Sequence, residues 1–149
     1  MIPIKKILCS TDFSEPSYAG LKSADELAVH FSAELILVHV VPHMYYYPVP
    51  DASLSLDKYI DDVVKASRKS LDEAVKNRVS PKLQIQTVVL QGNPADQIVD
   101  LARSEKVDLI VTATHGWTGW RRLIFGSVAD RVVRLASCPV MTVPAPQEE

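Results

Sequence analysis

Short runs of apolar residues alternate along the chain with longer segments in which apolar residues recur at helical spacing. The short runs predict β-strands, and the longer segments predict amphipathic helices. The predicted strands cover residues 4–9, 35–41, 83–90, 107–112 and 139–143. A regular alternation of strand and helix favours one α/β domain with a doubly wound, five-stranded parallel sheet and two helices on each face.

Two of the predicted helices begin with typical capping residues. Ser14 precedes Glu15 and Pro16, and Asn93 precedes Pro94. Serine and asparagine side chains accept hydrogen bonds from the free N–H groups of a first helical turn, and proline fits the first helical position. We therefore expect helices to begin directly after Ser14 and after Asn93.

The composition is typical of a folded domain. The chain has 149 residues, 47% of them hydrophobic and 23% charged, with a net charge of -2, so it offers no basic field for nucleic acid or anionic lipid. No apolar run approaches the roughly 20 residues that span a bilayer, and the first residues lack the long apolar segment of a signal peptide. We expect a cytoplasmic protein without nucleic-acid or membrane partners, with one domain over residues 1–144 and a tail over residues 145–149.

The segment at residues 113–128, which contains the loop between the fourth predicted strand and the last predicted helix, is the most informative one. About a dozen residues form this loop, where roughly 2–6 are usual in an α/β unit. Gly116 lies near its start, and Gly126 and Ser127 lie near its end. Glycine lets backbone N–H groups approach a ligand, and a helix start offers unpaired N–H groups and a positive dipole end. The segment therefore predicts a phosphate-binding site.

Other phosphate-binding motifs are excluded by the residues present. No Gly-Lys pair exists, as a Walker-type NTPase requires. Residues 10–14 are Ser-Thr-Asp-Phe-Ser, where a dinucleotide fold needs Gly-x-Gly-x-x-Gly. A phosphatase loop of the Cys-x5-Arg type beginning at Cys9 would place its arginine where Glu15 stands, and that carboxylate would repel phosphate.

The histidines and cysteines do not form a metal-ligand set. His39 and His43 lie near a strand end rather than on one helix face, and no cysteine or carboxylate completes a compact set around them. Cys9 and Cys138 are too few for a disulfide framework. We interpret both cysteines as small, buried apolar residues.

Short motifs follow the predicted strands along nearly the whole chain. They are Thr-Asp-Phe-Ser at residues 11–14, Val-His-Val at 38–40, Thr-His-Gly at 114–116, Gly-Ser-Val-Ala at 126–129 and Cys-Pro-Val at 138–140. In these motifs the chain resembles the nucleotide-binding branch of the universal stress protein family. The ATP motif of that family is Gly, two residues, Gly, nine residues, Gly, then Ser or Thr.

One position departs from that motif. Gly116, Gly126 and Ser127 fit it, whereas Ala113 occupies the position of the first glycine. If the site needs a positive φ there, alanine would disturb it, and if it needs only a small side chain, alanine suffices. We expect the second case.

The resemblance implies a sheet order of 3-2-1-4-5, which puts the ends of the first and fourth strands at the point where strand order reverses. In doubly wound folds, ligands bind there. It also implies that the backbone of Val40 contacts adenine, and that Thr11 and Asp12 flank the base and ribose. Thr112 and Ala113 would line the sugar. The residues that would contact the phosphates are Gly116, Gly126, Ser127 and Val128.

Two of these residues have a local alternative. Asp12 suits ribose hydroxyls or a phosphate-bound Mg²⁺, but it could equally bond to nearby backbone N–H groups of its own loop. Ser127 could contact phosphate, or it could simply cap the last helix.

By resemblance, the protein binds ATP or a related adenine nucleotide (AMP or ADP), with Mg²⁺ as the accompanying metal, and acts as a stress-response sensor or interaction module. A weak ATPase, with His115 as the one nearby candidate base, and a nucleotide-free dimerising member are the alternatives. The family dimer pairs the last strand of each subunit, and an exposed edge strand readily finds a partner. We therefore expect a homodimer formed through Val140, Met141, Thr142 and Val143.

Overall fold

Strands and helices alternate throughout residues 3–43, 52–114 and 126–146, which the computed structural model describes. The strands are β1 (Lys6–Ser10), β2 (Glu34–Val41), β3 (Ile85–Gln91), β4 (Leu109–Ala113) and β5 (Val140–Val143). The helices are α1 (Glu15–Phe31), α2 (Ala52–Arg78), α3 (Pro94–Ser104) and α4 (Ser127–Leu135). This alternation confirms the predicted α/β class.

The strands form one parallel sheet in the order β3-β2-β1-β4-β5. The order that the family resemblance implied is thus confirmed. Because β1 lies between β2 and β4, the direction in which successive strands are added reverses between β1 and β4. A crevice is expected at the carboxyl ends of these two strands.

Each face of the sheet carries two helices, as predicted. Successive side chains of a strand point to opposite faces, so Ile7 packs in the layer of α1 and α2, whereas Leu8 packs in the layer of α3 and α4. Both side chains are fully buried. The helix residues of the first layer include Leu21, Ala24, Ala28, Leu71 and Ala74. Those of the second layer include Ala95, Ile98, Val99, Ala102 and Val132.

The predicted helix caps of α1 and α3 are both present. The Ser17 N–H donates to Ser14 Oγ at 3.2 Å, and the Asp96 N–H donates to Asn93 Oδ1 at 3.2 Å. Pro94 is the first residue of α3. In the described ranges, no helix is both long enough and apolar enough to cross a membrane.

The observed strand ends differ from the predicted ones by up to two residues. β1 begins at Lys6 rather than at residue 4, and β4 runs over Leu109–Ala113 rather than over 107–112. The hydrophobic pattern of a sequence indicates which residues are buried, whereas the ends of a strand are defined by hydrogen bonds to its neighbours, so the two can differ by a residue or two. Ile4 packs against the core although it precedes the first pairing, which joins Lys6 to Glu34.

The two cysteines differ in burial. Cys9 is fully buried in β1, as predicted, and burial raises the pKa of its thiol to about 12. Cys138 is only half-buried, so the prediction of a buried residue is only partly correct there. Burial also raises the pKa of the Cys138 thiol. Cys9 is therefore an inert part of the core.

Candidate functional site

A cavity of about 410 Å³ lies at the carboxyl ends of the central strands. Its volume falls in the range of small-molecule sites, roughly 300–1,000 Å³. The ends of β1, β2 and β4 form its floor, and the first turns of α3 and α4 form part of its wall. It is lined by Ser10, Thr11, Asp12, Ser17, His39, Val40, Pro42, Pro94, Ile98, Thr112, Ala113, Thr114, Gly126, Ser127, Val128 and Ala129.

The structure brings nearly all the predicted site residues to this one cavity. Gly116, and with it the candidate base His115, lies outside the described residues. The other predicted site residues, which all line the cavity, are Thr11, Asp12, Val40, Thr112, Ala113, Gly126, Ser127 and Val128. Segments that are distant in the sequence thus meet where the strand order reverses.

The turn between β1 and α1 is held by its own side chains. Asp12 Oδ1 accepts hydrogen bonds from the N–H of Ser14, at 3.0 Å, and from the Ser14 hydroxyl. Thr11 Oγ1 accepts from the Phe13 N–H at 3.0 Å and lies 2.8 Å from Ser17 Oγ. Phe13 adopts a left-handed conformation with φ of 66°, which turns the chain into the helix. Oδ1 of Asp12 therefore makes the local contacts that the alternative interpretation predicted.

His39 is a cavity residue that the sequence analysis considered only as a metal ligand. Its Nδ1 lies 2.8 Å from the carbonyl oxygen of Thr11, and its ring packs on Phe13 with the centroids 4.4 Å apart. The Val-His-Val motif at the end of β2 was the available signal. It could not reveal a partner in the turn that follows β1.

Ala113 fits its position without strain. It is the last residue of β4 and pairs with Val143 of β5. Ala113 is not among the described non-glycine residues that have a positive φ, which are Phe13, Ser32 and Lys106. Gly20 of α1 lies opposite Ala113, and even a Cβ at position 20 would make only ordinary contacts with it, 3.5 Å to its nitrogen and 3.8 Å to its methyl group. The backbone at Ala113 therefore does not require glycine, and that a small side chain suffices for a ligand stays a prediction.

The start of α4 differs from the starts of α1 and α3 because no side chain caps it. Gly126 is the N-cap residue, and Ser127 is the first helical residue. The alternative in which Ser127 caps the helix is therefore wrong. The Gly126 N–H donates to the carbonyl of Thr114 at 2.7 Å, and the Thr114 N–H donates to the carbonyl of Val143 at 3.0 Å. These bonds fix the helix start against β4 and β5.

No lysine or arginine is among the described residues that line the cavity, so main-chain groups are the candidate donors to an anion there. Asp12 is the single charged side chain among the described residues that line it. The first turn of α4 supplies N–H groups and a positive dipole end there. Within the described part of the chain, no group of three or more His, Cys, Asp or Glu side chains could hold a metal on its own. The described residues alone therefore do not supply a complete ligand set for a metal.

The sheet and its cavity define a doubly wound α/β protein with a ligand-sized crevice at its reversal point. A sequence model of the universal stress protein family matches residues 3–144. The chain belongs to the universal stress protein family.

Relatives and solved structures agree with this assignment. Universal stress protein MJ0531 of Methanocaldococcus jannaschii is 36% identical over 145 residues, which cover 97% of this chain and 85% of the relative. The structure of the universal stress protein UspA from Lactobacillus plantarum has a TM-score of 0.81 at 25% identity and covers 93% of this chain and 97% of its own.

Two further solved structures hold adenine nucleotides. A universal stress protein in complex with cAMP has a TM-score of 0.64 at 24% identity, covering 95% of this chain and 98% of that one. The universal stress protein from Archaeoglobus fulgidus in complex with dAMP has a TM-score of 0.57 at 23% identity, with coverages of 95% and 98%. At these identities the likeness establishes the shared fold.

Proposed function

We propose that this protein is a cytoplasmic stress-response sensor or interaction module that binds ATP or a related adenine nucleotide in the cavity. The observation that supports this most strongly is the meeting of the uncapped α4 start with the ends of β1 and β2 around one cavity. A ligand there could contact main-chain amides through its phosphates and a strand edge through its base. Structures of the same fold that hold cAMP and dAMP make an adenine nucleotide the natural candidate.

The phosphates would bind at the start of α4. Gly126 has no side chain to satisfy the N–H groups of the first turn, so these groups suit an anionic ligand. Ser127 is exposed and adds a hydroxyl, and Val128 adds an amide of the same turn. We also assign Gly116 to this role by its place in the sequence motif.

The sugar and base would lie over the strand ends. Thr112 and Ala113 would line the ribose, and Thr11 and Asp12 would flank the ribose and base. Ser10 Oγ and Thr112 Oγ1, 3.2 Å apart, join the β1 and β4 ends beneath them. Val40 would read adenine through its backbone N–H and carbonyl.

Mg²⁺ fits the chemistry of this site only together with a nucleotide. Asp12 is a carboxylate in the cavity, and Mg²⁺ is typically held by one or two carboxylates plus substrate phosphates. When bound, the ion would neutralise phosphate charge. Asp12 would then contact the ion or its water shell while it continues to brace Ser14.

Titration calorimetry with ATP, ADP and AMP tests this function. We expect saturable heat for at least one of the three nucleotides, and weaker binding of GTP because guanine presents a different hydrogen-bonding edge. Mass spectrometry of small molecules released from the purified protein would identify the nucleotide. No heat with any of the three at millimolar concentration would refute the proposal.

We also propose a homodimer formed through β5, with Val140, Met141, Thr142 and Val143 as its central residues. Among the described strands β5 pairs with β4 alone, which makes it an edge strand of the sheet. Met141 is 41% exposed, and Val133 and Leu135 of the preceding helix are exposed as well. An open edge with apolar side chains is a favourable site for pairing with a second copy.

Replacing Met141 by lysine is expected to convert this dimer into a monomer, because a charged side chain on an edge strand opposes pairing. Light scattering at micromolar concentration should give twice the 16.5 kDa chain mass for the wild-type protein and the single chain mass for the variant. Phe31→Lys is the matched control, since Phe31 is also 41% exposed but lies on α1. A monomeric wild-type protein would contradict the proposal.

A further inference from the structure

The ladder between β1 and β2 stops before β2 itself ends. The last pair of this ladder joins Ser10 to Val38, and the Thr11 N–H still donates to the Val38 carbonyl at 2.9 Å. β2 continues to Val41 and stays paired with β3 to its end. Val40 therefore lies on a stretch of β2 that extends past the end of β1, at the cavity floor.

A continued parallel ladder would use two specific bonds. The alternating pattern of such a ladder would pair the Val40 N–H with the carbonyl of Thr11, and the Phe13 N–H with the carbonyl of Val40. In the structure both would-be partners are engaged by side chains. The Thr11 carbonyl is bonded to His39 Nδ1 at 2.8 Å, and the Phe13 N–H donates to Thr11 Oγ1 at 3.0 Å.

The hydrogen bond to the Thr11 carbonyl determines which nitrogen of the His39 ring carries a proton. A carbonyl oxygen can only accept, so the proton of the bond resides on Nδ1, which donates. The ring is further held by its packing on Phe13. Phe13 in turn has the left-handed conformation two residues before α1 begins.

We propose that His39 is a positioning residue that ends the β1–β2 ladder and so keeps the peptide group of Val40 open to a nucleobase. Its side chain takes the carbonyl that would otherwise capture the Val40 N–H. The Thr11 hydroxyl likewise accepts the Phe13 N–H, which would otherwise donate to the Val40 carbonyl. The proposal rests on the proposed nucleotide function for the identity of the ligand.

The N–H and carbonyl of Val40, which have no ladder partners on β1, determine which base fits. A strand residue offers one donor and one acceptor side by side, which matches the acceptor N1 and the donor N6 of adenine. Guanine presents a donor and an acceptor in the opposite order on the same edge, so it would meet like groups. His39 thereby supports selectivity for adenine without contacting the base itself.

Three variants test this role. His39→Leu removes the donor, and His39→Gln carries its amide one bond too far from the backbone. His39→Asn keeps a donor nitrogen bonded to Cγ, as Nδ1 is, and should rescue the bond. His43→Leu is the matched control, because His43 is exposed and follows β2 without lining the cavity.

Calorimetry with ATP gives the first readout. We expect His39→Leu and His39→Gln to bind ATP about tenfold more weakly, the effect of one lost hydrogen bond, and His39→Asn and His43→Leu to bind within about threefold of wild type. A merely structural role would not be rescued by the smaller asparagine, which gives up the ring packing on Phe13. Equal ATP affinity in His39→Leu and wild type would overturn the proposal.

Amide hydrogen exchange of Val40 without nucleotide gives the second readout. If the released Thr11 carbonyl captures the Val40 N–H, exchange at Val40 should slow at least about tenfold in His39→Leu and not in His39→Asn. If wild-type protein binds no adenine nucleotide, the proposed function fails, and this exchange measurement alone then decides whether His39 ends the ladder. Unchanged Val40 exchange in both His39→Leu and His39→Gln would show that it does not.

Discussion

Replacing Ser127 by glutamate should weaken ATP binding at least about 100-fold, or about 2.7 kcal/mol. Ser127 is exposed at the first position of α4, where the proposed phosphate site lies. A carboxylate there would occupy the first-turn N–H groups and repel the phosphates. Two unit charges about 4 Å apart repel by about 4 kcal/mol near a protein surface, and the exposed position reduces that value by solvent screening.

This variant should remain folded, which separates a binding defect from unfolding. An acidic side chain in the first turn interacts favourably with the helix dipole, so the thermal midpoint should stay equal or rise slightly. Gln84→Glu is the control, because it adds the same charge at an exposed position at the opposite end of the sheet. It should bind ATP as the wild-type protein does. A Ser127→Glu protein that binds ATP within threefold of wild type would place the phosphates elsewhere.

Replacing Leu37 by alanine should lower the free energy of unfolding by about 3 kcal/mol, within the range of about 2–5 for such changes. Leu37 is fully buried in β2, where it pairs with Cys9 on one side and Thr87 on the other. The truncated side chain would leave a cavity in the layer between the sheet, α1 and α2, and strands on both sides limit how far the backbone can close it.

Urea unfolding at one fixed protein concentration measures this change, since a dimer would make stability depend on concentration. Val29→Ala is the control, because Val29 is 45% exposed on α1 and its truncation removes little buried surface. We expect a change below about 1 kcal/mol for it. A Leu37→Ala protein with a loss below 1 kcal/mol would mean that the sheet does not pack as described.

Much of the fold could be predicted from local features of the sequence. Strands, helices and their alternation follow from hydrophobic spacing, and the caps at Ser14 and Asn93 follow from side chains that bond within their own turn. The strand order could not be derived this way, because neighbouring strands in a parallel sheet are brought together by long-range packing. It came from the family resemblance.

The candidate site also combines features that local sequence predicts with features that depend on long-range packing. Gly126 and Ser127 could be located by glycine spacing, but the sequence did not tell which of them caps the helix, since that depends on where helical backbone begins. The contact that His39 makes could not be predicted, because its partner, the Thr11 carbonyl, lies 28 positions away and is a backbone atom that any residue would supply. Only the register of β1 against β2 reveals that bond.

The most direct test of the account is an ATP titration followed by amide resonances of the assigned, isotope-labelled protein. If the cavity at the reversal point binds the nucleotide, the amides of Val40, Ala113, Gly126 and Ser127 should shift together along one saturation curve. Shifts confined to another surface, such as the second cleft, which Glu15, Tyr18 and Arg78 line, or no shifts at millimolar ATP, would contradict it.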